Sequence, residues 1–301
     1  MATEPPIDEQ KAAPRREKPA RAETFAEVKS RLSRLERLNI GFIRMTFEVR
    51  WLNRLLRWVQ AHIGAGWVDI CTRRIRHVHG LEGLQEILQS QESLVVVSNH
   101  RSFFDMYVIN MLLYRAGFQQ RLLFPVRSNF FYDHPLGIFV NGIMSWFSMY
   151  PPIFRDRKRA ALNHVALSEL SSDLCHEGRS VGIHPEGTRK KDDDPYTFLP
   201  TQPGVGRIVH QARIRVLPVF INGLGNDLWR QVKGNFDRTG TPIIVVFGQP
   251  TAFEDLLDEP AGPKTYKAIA ERTMTLVGAL GEEEKRLRAE LLAGEGEAQN
   301  T

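Results

Sequence analysis

An imidazole and a carboxylate stand with four residues between them in Ser98-Asn99-His100-Arg101-Ser102-Phe103-Phe104-Asp105, directly after the apolar run Leu94-Val95-Val96-Val97. The run reads as a buried strand, which sets His100 at its carboxyl end and Asp105 in the first turn of the segment that follows. A carboxylate one turn away accepts the ring N–H, fixes the tautomer, stabilises the imidazolium once it forms and leaves the other nitrogen free to take a proton. That is the arrangement of a general base. No serine or cysteine nucleophile motif accompanies the pair, so the proton would come from a substrate hydroxyl. Taken alone, the same spacing is compatible with structural hydrogen bonding at a strand end.

Three further blocks follow in order: Ile153-Phe154-Arg155, then Gly182-Ile183-His184-Pro185-Glu186-Gly187-Thr188-Arg189, then Val216-Leu217-Pro218-Val219-Phe220-Ile221. With His100 and Asp105 they resemble the four blocks of the 1-acylglycerol-3-phosphate O-acyltransferase family, over about residues 78–250. The resemblance implies that His100 and Asp105 are the catalytic pair and that Arg155 is the arginine of the second block. It implies that Glu186, Gly187, Thr188 and Arg189 lie near the acceptor's glycerol phosphate, and that Pro218 is the proline of the fourth block. An α/β core preceded by a helical membrane-facing element is implied as well. Two positions depart from the pattern. His184 stands where members usually carry phenylalanine or another apolar residue, and Gln202-Pro203-Gly204 stands where many carry a lysine before the glycine. These leave the reaction type intact and bear on the acceptor head group.

The residues themselves agree with that implication. Arginine offers a planar, permanently charged fork that binds two phosphate oxygens at once, and Arg155 and Arg189 are the candidates. Gly187 lets backbone approach a ligand closely, while Thr188 adds a short hydroxyl donor. The alternative for Pro185-Glu186-Gly187-Thr188 is a plain turn after a strand, with Arg189 and Lys190 solvated beyond it.

These residues need a scaffold, and the chain supplies one. Strand-like runs at 94–98, 122–126, 181–184, 216–221 and 243–247 alternate with helix-like segments at 81–90, 106–116, 160–176, 205–212 and 266–280, an α/β pattern. There is no Gly-x-Gly-x-x-Gly or Walker-type loop. At 301 residues and 42% hydrophobic content, one catalytic domain with extensions is the economical organisation. The expected segments are a disordered tail at 1–22, a basic amphipathic helical segment at 23–77, an acyltransferase domain at 78–281 and a charged C-terminal helix or tail at 282–301, fraying near Gly294. The tail lacks the apolar stretch of a signal peptide. Cys71 and Cys175 suggest neither a disulfide framework nor a zinc site, which points to a reducing compartment.

A formal charge of +5 and a pI near 9.3 imply an anionic partner. Over 50–59, Arg50, Arg54 and Arg57 recur on one helical face and Leu52, Leu55, Leu56 and Val59 on the other, with Trp51 and Trp58 at the boundary. This is the pattern of a helix lying in a headgroup interface, and equally of an amphipathic helix packed on its own domain. An anionic membrane surface, not nucleic acid, is the expected partner. The uncharged run at 134–154 is interrupted by Asn141 and flanked by prolines, so it reads as core or acyl-chain lining rather than a span. Association is expected to be peripheral or shallow, on the cytoplasmic side of a membrane.

The expected activity is transfer of an acyl chain from acyl-CoA or acyl-carrier protein to the free hydroxyl of a lysophospholipid, foremost 1-acylglycerol-3-phosphate, without cofactor or metal. One rival is transfer to another lysophospholipid. A rival of another class is a metal-dependent phosphoesterase with His100, Asp105, His184 and Glu186 as ligands.

Overall fold

The computed structural model describes residues 24–90, 92–175 and 179–299, so the expected tail at 1–22 lies outside the described residues. Seven strands form one sheet: β1 (Arg76–His79), β2 (Val95–Ser98), β3 (Arg121–Arg127), β4 (Met149–Ile153), β5 (Arg179–Ile183), β6 (Val216–Asn222) and β7 (Ile243–Phe247). Their order is β1-β7-β6-β2-β5-β3-β4. β6, β2, β5, β3 and β4 run parallel, while β7 is antiparallel to β6 and carries β1 parallel beside it. Val95 faces Val181 on one side and Val216 on the other, so the valine run of β2 is the buried middle of the sheet. Strands buried on both faces read as continuous apolar runs, which is why this one was so visible.

Five parallel strands must end on one edge. The carboxyl ends of β2, β3, β4, β5 and β6 therefore open a common crevice, the usual ligand position of an open α/β sheet. The crossover helices Asp105–Arg115, Ala161–Leu174 and Gly204–Ala212 cover the faces, and the long helix Pro263–Gln299 lies across β6. That last helix runs unbroken through residue 282.

The five expected strands are present. β1 and β4 are additions, and each has a physical reason for its weak signal. β1 is a half-buried four-residue strand. β4 contains Pro151 and Pro152, which lack ladder donors and are tolerated because β4 is the edge strand. The run at 134–154 is accordingly several elements. Its helix Gly137–Ser145 stops where Trp146 and Phe147 adopt positive φ and turn the chain into β4.

Upstream of the sheet lie the helices Arg34–Glu48, Arg50–Val59 and Ala65–Thr72. The first opens with a capping box: Ser33 Oγ accepts the Glu36 N–H at 3.2 Å, and Glu36 Oε2 accepts the Ser33 N–H at 2.8 Å. Arg121, buried on β3, fastens these helices to the sheet. It donates to the carbonyls of Thr46 (3.0 Å) and Trp146 (2.8 Å) and sits 3.8 Å over the Phe47 ring. On Arg50–Val59 only Leu56 is buried, whereas Trp51, Leu55 and Trp58 are 65%, 47% and 53% exposed. The apolar face expected to be either membrane-facing or domain-packed is thus divided, with Leu56 buried, Leu52 and Val59 half-buried and Leu55 exposed beside the two exposed tryptophans, while Arg57 bends back to donate to the Gln119 carbonyl at 2.7 Å.

Between these helices, Gly137–Ser145 and the helix Leu228–Asp237 runs an apolar groove of about 1080 Å³. Leu38, Trp67, Ile143 and Leu228 line it, and it reaches Phe104 and Tyr107, the neighbours of Asp105 in sequence. Among the described residues, no helix is long and apolar enough to cross a membrane.

Candidate active site

The chain leaves β2 through Asn99, whose buried amide accepts the Ile221 N–H and donates to the Ile221 carbonyl, both at 2.9 Å. This side-chain pairing continues the β2–β6 link one residue past the strand and fixes the exit. The next residue, His100, has its backbone held on both sides: its N–H donates to Glu186 Oε1 (2.9 Å) and its carbonyl accepts the Lys190 N–H (3.1 Å). The imidazole Nδ1 lies 3.2 Å from Asp105 Oδ2.

Why four residues separate the pair is now explicit. The loop curls around Asp105 Oδ2, which accepts the N–H groups of Arg101 and Ser102 at 2.8 Å each besides facing the imidazole. Asp105 simultaneously opens the helix Asp105–Arg115, so the carboxylate is buried at a point fixed by backbone. Burial pushes its pKa up to about 6, against the opposing pull of His184, the two backbone donors and Arg189. Burial pushes the His100 imidazolium down to about 4, with Arg189 and then Arg127 acting in the same direction. The ring is therefore neutral at pH 7. Donating from Nδ1 to the carboxylate, it presents an unprotonated Nε2, the state a base requires.

The rim of the crevice is built from arginine. After β5, Gly187 takes a φ of +66° and its N–H closes a turn on the His184 carbonyl at 2.9 Å; a side chain there would be strained. Around this turn Arg155 donates to the Gly187 carbonyl (3.3 Å), Arg127 to Thr188 Oγ1 (3.2 Å) and Arg189 to Asn226 Oδ1 (2.6 Å). The Arg127 pKa is lowered, by partial burial first and then by Arg155 and Arg189. Three guanidinium groups gathered around one turn are an arrangement that suits an anion.

Of the residues singled out in the sequence, His100, Asp105, Arg155, Gly187, Thr188 and Arg189 thus converge on one crevice. Glu186 lies behind it, with Oε1 on the His100 N–H and Oε2 on the Leu199 N–H at 2.8 Å, so its carboxylate faces inward and holds the backbone of His100. Pro218 is buried in β6 opposite Val97, within the sheet beneath His100. Arg127 and Asn226 escaped the sequence reading. A charged residue just past the run at 122–126, on the edge where His100 sits, was the available signal for Arg127; Asn226, in a loop after β6, had none.

His184 lies face to face with His100, ring centroids 3.9 Å apart and planes within 7° of parallel. His100, Asp105 and His184 bring ligand-type atoms within 4.8 Å of one another. Imidazole lone pairs lie in the ring plane, however, so two stacked rings aim theirs side by side rather than at one point. Both oxygens of Glu186 are already engaged by backbone donors. The arrangement fits a stacked pair beside a carboxylate better than a ligand cage.

Residues 75–222 match the family model described as Acyltransferase. Over 165 residues the chain is 25% identical to the chloroplastic 1-acyl-sn-glycerol-3-phosphate acyltransferase LPAT1 of Arabidopsis thaliana, covering 55% of this chain and 42% of that one. Against the human 1-acyl-sn-glycerol-3-phosphate acyltransferase beta it is 25% identical, covering 58% and 57%. The chain spans about half the length of these curated relatives. Among solved structures, the Thermotoga maritima 1-acyl-sn-glycerophosphate acyltransferase PlsC shares the fold, with a TM-score of 0.50, 19% identity, and coverage of 83% of this chain and 95% of that one. With the ordered motifs gathered at one crevice and the matches falling on the segment that builds it, residues 75–222 form a domain of the acyltransferase family that includes the 1-acylglycerol-3-phosphate O-acyltransferases.

Proposed function

We propose that this protein is an O-acyltransferase that moves an acyl chain from a thioester, of coenzyme A or of acyl-carrier protein, to the free hydroxyl of 1-acylglycerol-3-phosphate, giving phosphatidic acid. The observation that carries this reading is a neutral His100, tied through Nδ1 to Asp105, between an arginine rim and an apolar groove. Nε2 takes the hydroxyl proton as the oxygen attacks the thioester carbonyl. The C–O bond forms, the C–S bond breaks, and the proton held on His100 leaves with the thiolate as thiol. Asp105 stabilises the imidazolium in between, and no acyl-enzyme is required.

Arg127, Arg155 and Arg189 hold the acceptor phosphate, and the turn at Gly187 and Thr188 aligns the glycerol. The groove takes an acyl chain. Trp51, Leu55 and Trp58, with Arg50 and Arg54 beside them, seat the protein peripherally on an anionic membrane, whose cytoplasmic leaflet carries the matching charge. The test is to incubate the purified chain with isotopically labelled acyl-CoA or acyl-carrier protein, with a panel of lysophospholipids on vesicles, and identify products by mass spectrometry. Ester formed on 1-acylglycerol-3-phosphate supports the proposal. No ester on any acceptor, or equal rates on acceptors with and without phosphate, overturns it.

A further inference from the structure

His184 directly follows β5, and the β2–β5 register pairs Val97 with Ile183, so His184 emerges beside the exit of β2 that carries His100. Its Nδ1 lies 2.9 Å from the Asn99 carbonyl, 3.2 Å from the Ser98 carbonyl and 3.0 Å from Ser98 Oγ. A carbonyl oxygen only accepts, so Nδ1 carries the proton and Nε2 does not. The ring face then covers the His100 imidazole at 3.9 Å. We propose that His184 is a positioning residue for His100: its N–H ties the two peptide carbonyls that precede the base, and its face confines the base's ring to the plane in which Nδ1 meets Asp105 and Nε2 points into the crevice.

Both functions are needed together. A ring without the N–H leaves the Ser98 and Asn99 carbonyls unheld, and an N–H without the ring leaves His100 free to rotate about its χ angles. His184 must also stay neutral. Burial, and then the neighbouring His100, push its pKa down to about 3, against Asp105 and the two backbone acceptors. The stack can therefore take one proton beyond its two ring N–H groups, and between the two rings it goes to His100, which faces Asp105 from its own loop, His184 and Glu186 from the end of β5, Arg189 beyond them and Arg127 from the end of β3.

The inference rests on the proposed role of His100, and its test has an arm that needs no substrate. In full-length protein with ¹⁵N-labelled histidine, the nitrogen shifts of His184 between pH 5 and 8 should report a protonated Nδ1, a bare Nε2 and no titration. His184→Phe keeps a face and loses the N–H; His184→Gln keeps an N–H and loses the ring. In either variant the His100 nitrogens should move toward a mixture of tautomers. In the acyl-transfer assay kcat should fall about ten- to a hundred-fold while both KM values stay within about two-fold, as expected when a catalytic group is slightly misplaced. An His184 that titrates in this range or carries its proton on Nε2 overturns the proposal. So do folded variants with wild-type His100 shifts and kcat. If His100 shifts respond but no transfer is detected for the wild type, the proposed reaction fails and the positioning role stands.

Discussion

Replacing Asp105 with asparagine separates what the carboxylate does for His100 from what it costs the fold. Asp105 is buried, and its pKa is raised from 3.8 to about 6. Keeping it charged in the folded protein therefore costs about 3 kcal/mol relative to the unfolded chain. The folded group binds its proton more tightly than the unfolded one, so its favourable contribution is complete below about pH 4 and is lost as pH rises through 6. Asparagine removes that penalty and keeps an oxygen for the Arg101 and Ser102 N–H groups, although neutral acceptors return about 1 kcal/mol less for each bond. At pH 7.5 the two effects should leave Tm unchanged or slightly raised. Activity should not survive. Held in the Oδ2 position by those two N–H groups, the amide oxygen still accepts from His100 Nδ1, but a neutral amide no longer stabilises the imidazolium, and kcat should fall roughly 10²–10⁴-fold. The pH profile adds an independent mark: the wild-type pair takes up its first proton near pH 6, so kcat/KM declines below that pH, whereas the residual rate of Asp105→Asn should lack this limb. Thermal melts and steady-state kinetics between pH 5 and 8.5 decide the matter. A variant with a Tm lower by more than about 5 °C, or one that keeps the limb near pH 6, refutes the reasoning.

His100→Ala should lower kcat roughly 10²–10⁴-fold without loss of fold, since Asp105 Oδ2 retains its two backbone donors; more than about a tenth of wild-type kcat remaining would remove His100 from the role of base. Alanine at Arg127, Arg155 or Arg189 should each raise the acceptor KM roughly ten-fold and leave the thioester KM near its wild-type value, with lysine rescuing only in part; the opposite split in KM would move that arginine to the donor's phosphates. Replacing Trp51, Leu55 and Trp58 by serine, or Arg50 and Arg54 by glutamine, should weaken co-sedimentation with anionic vesicles, the arginine change by ~1 kcal/mol per charge at low ionic strength, and binding indifferent to both would mean that this face meets something other than a bilayer.

What the sequence disclosed about this molecule follows the range of the interactions involved. The valine run of β2 is flanked by buried strands on both sides, so its burial is written as a continuous apolar word, and the His100 to Asp105 spacing is a local loop closed by its own backbone donors. Both are short-range facts and both were legible. Arg50–Val59 was legible as a helix but not as to where its face points, because that depends on Arg121, buried some seventy residues away, drawing the preceding helix onto β3 through the Thr46 carbonyl and the Phe47 ring. The same distance hid the architecture of the site. Arg127, Arg155 and Arg189 close on the Gly187 turn only because β3, β4 and β5 are adjacent and parallel, an order that no local pattern encodes. Glu186 carries the point furthest: its place in a block of site residues suggested a group facing substrate, yet the fold turns both oxygens onto the N–H groups of His100 and Leu199. In the proposed mechanism a side chain belongs to the reaction by holding the backbone of the residue that performs it, and His184, bound to the carbonyls of Ser98 and Asn99, meets His100 from the other side in the same manner.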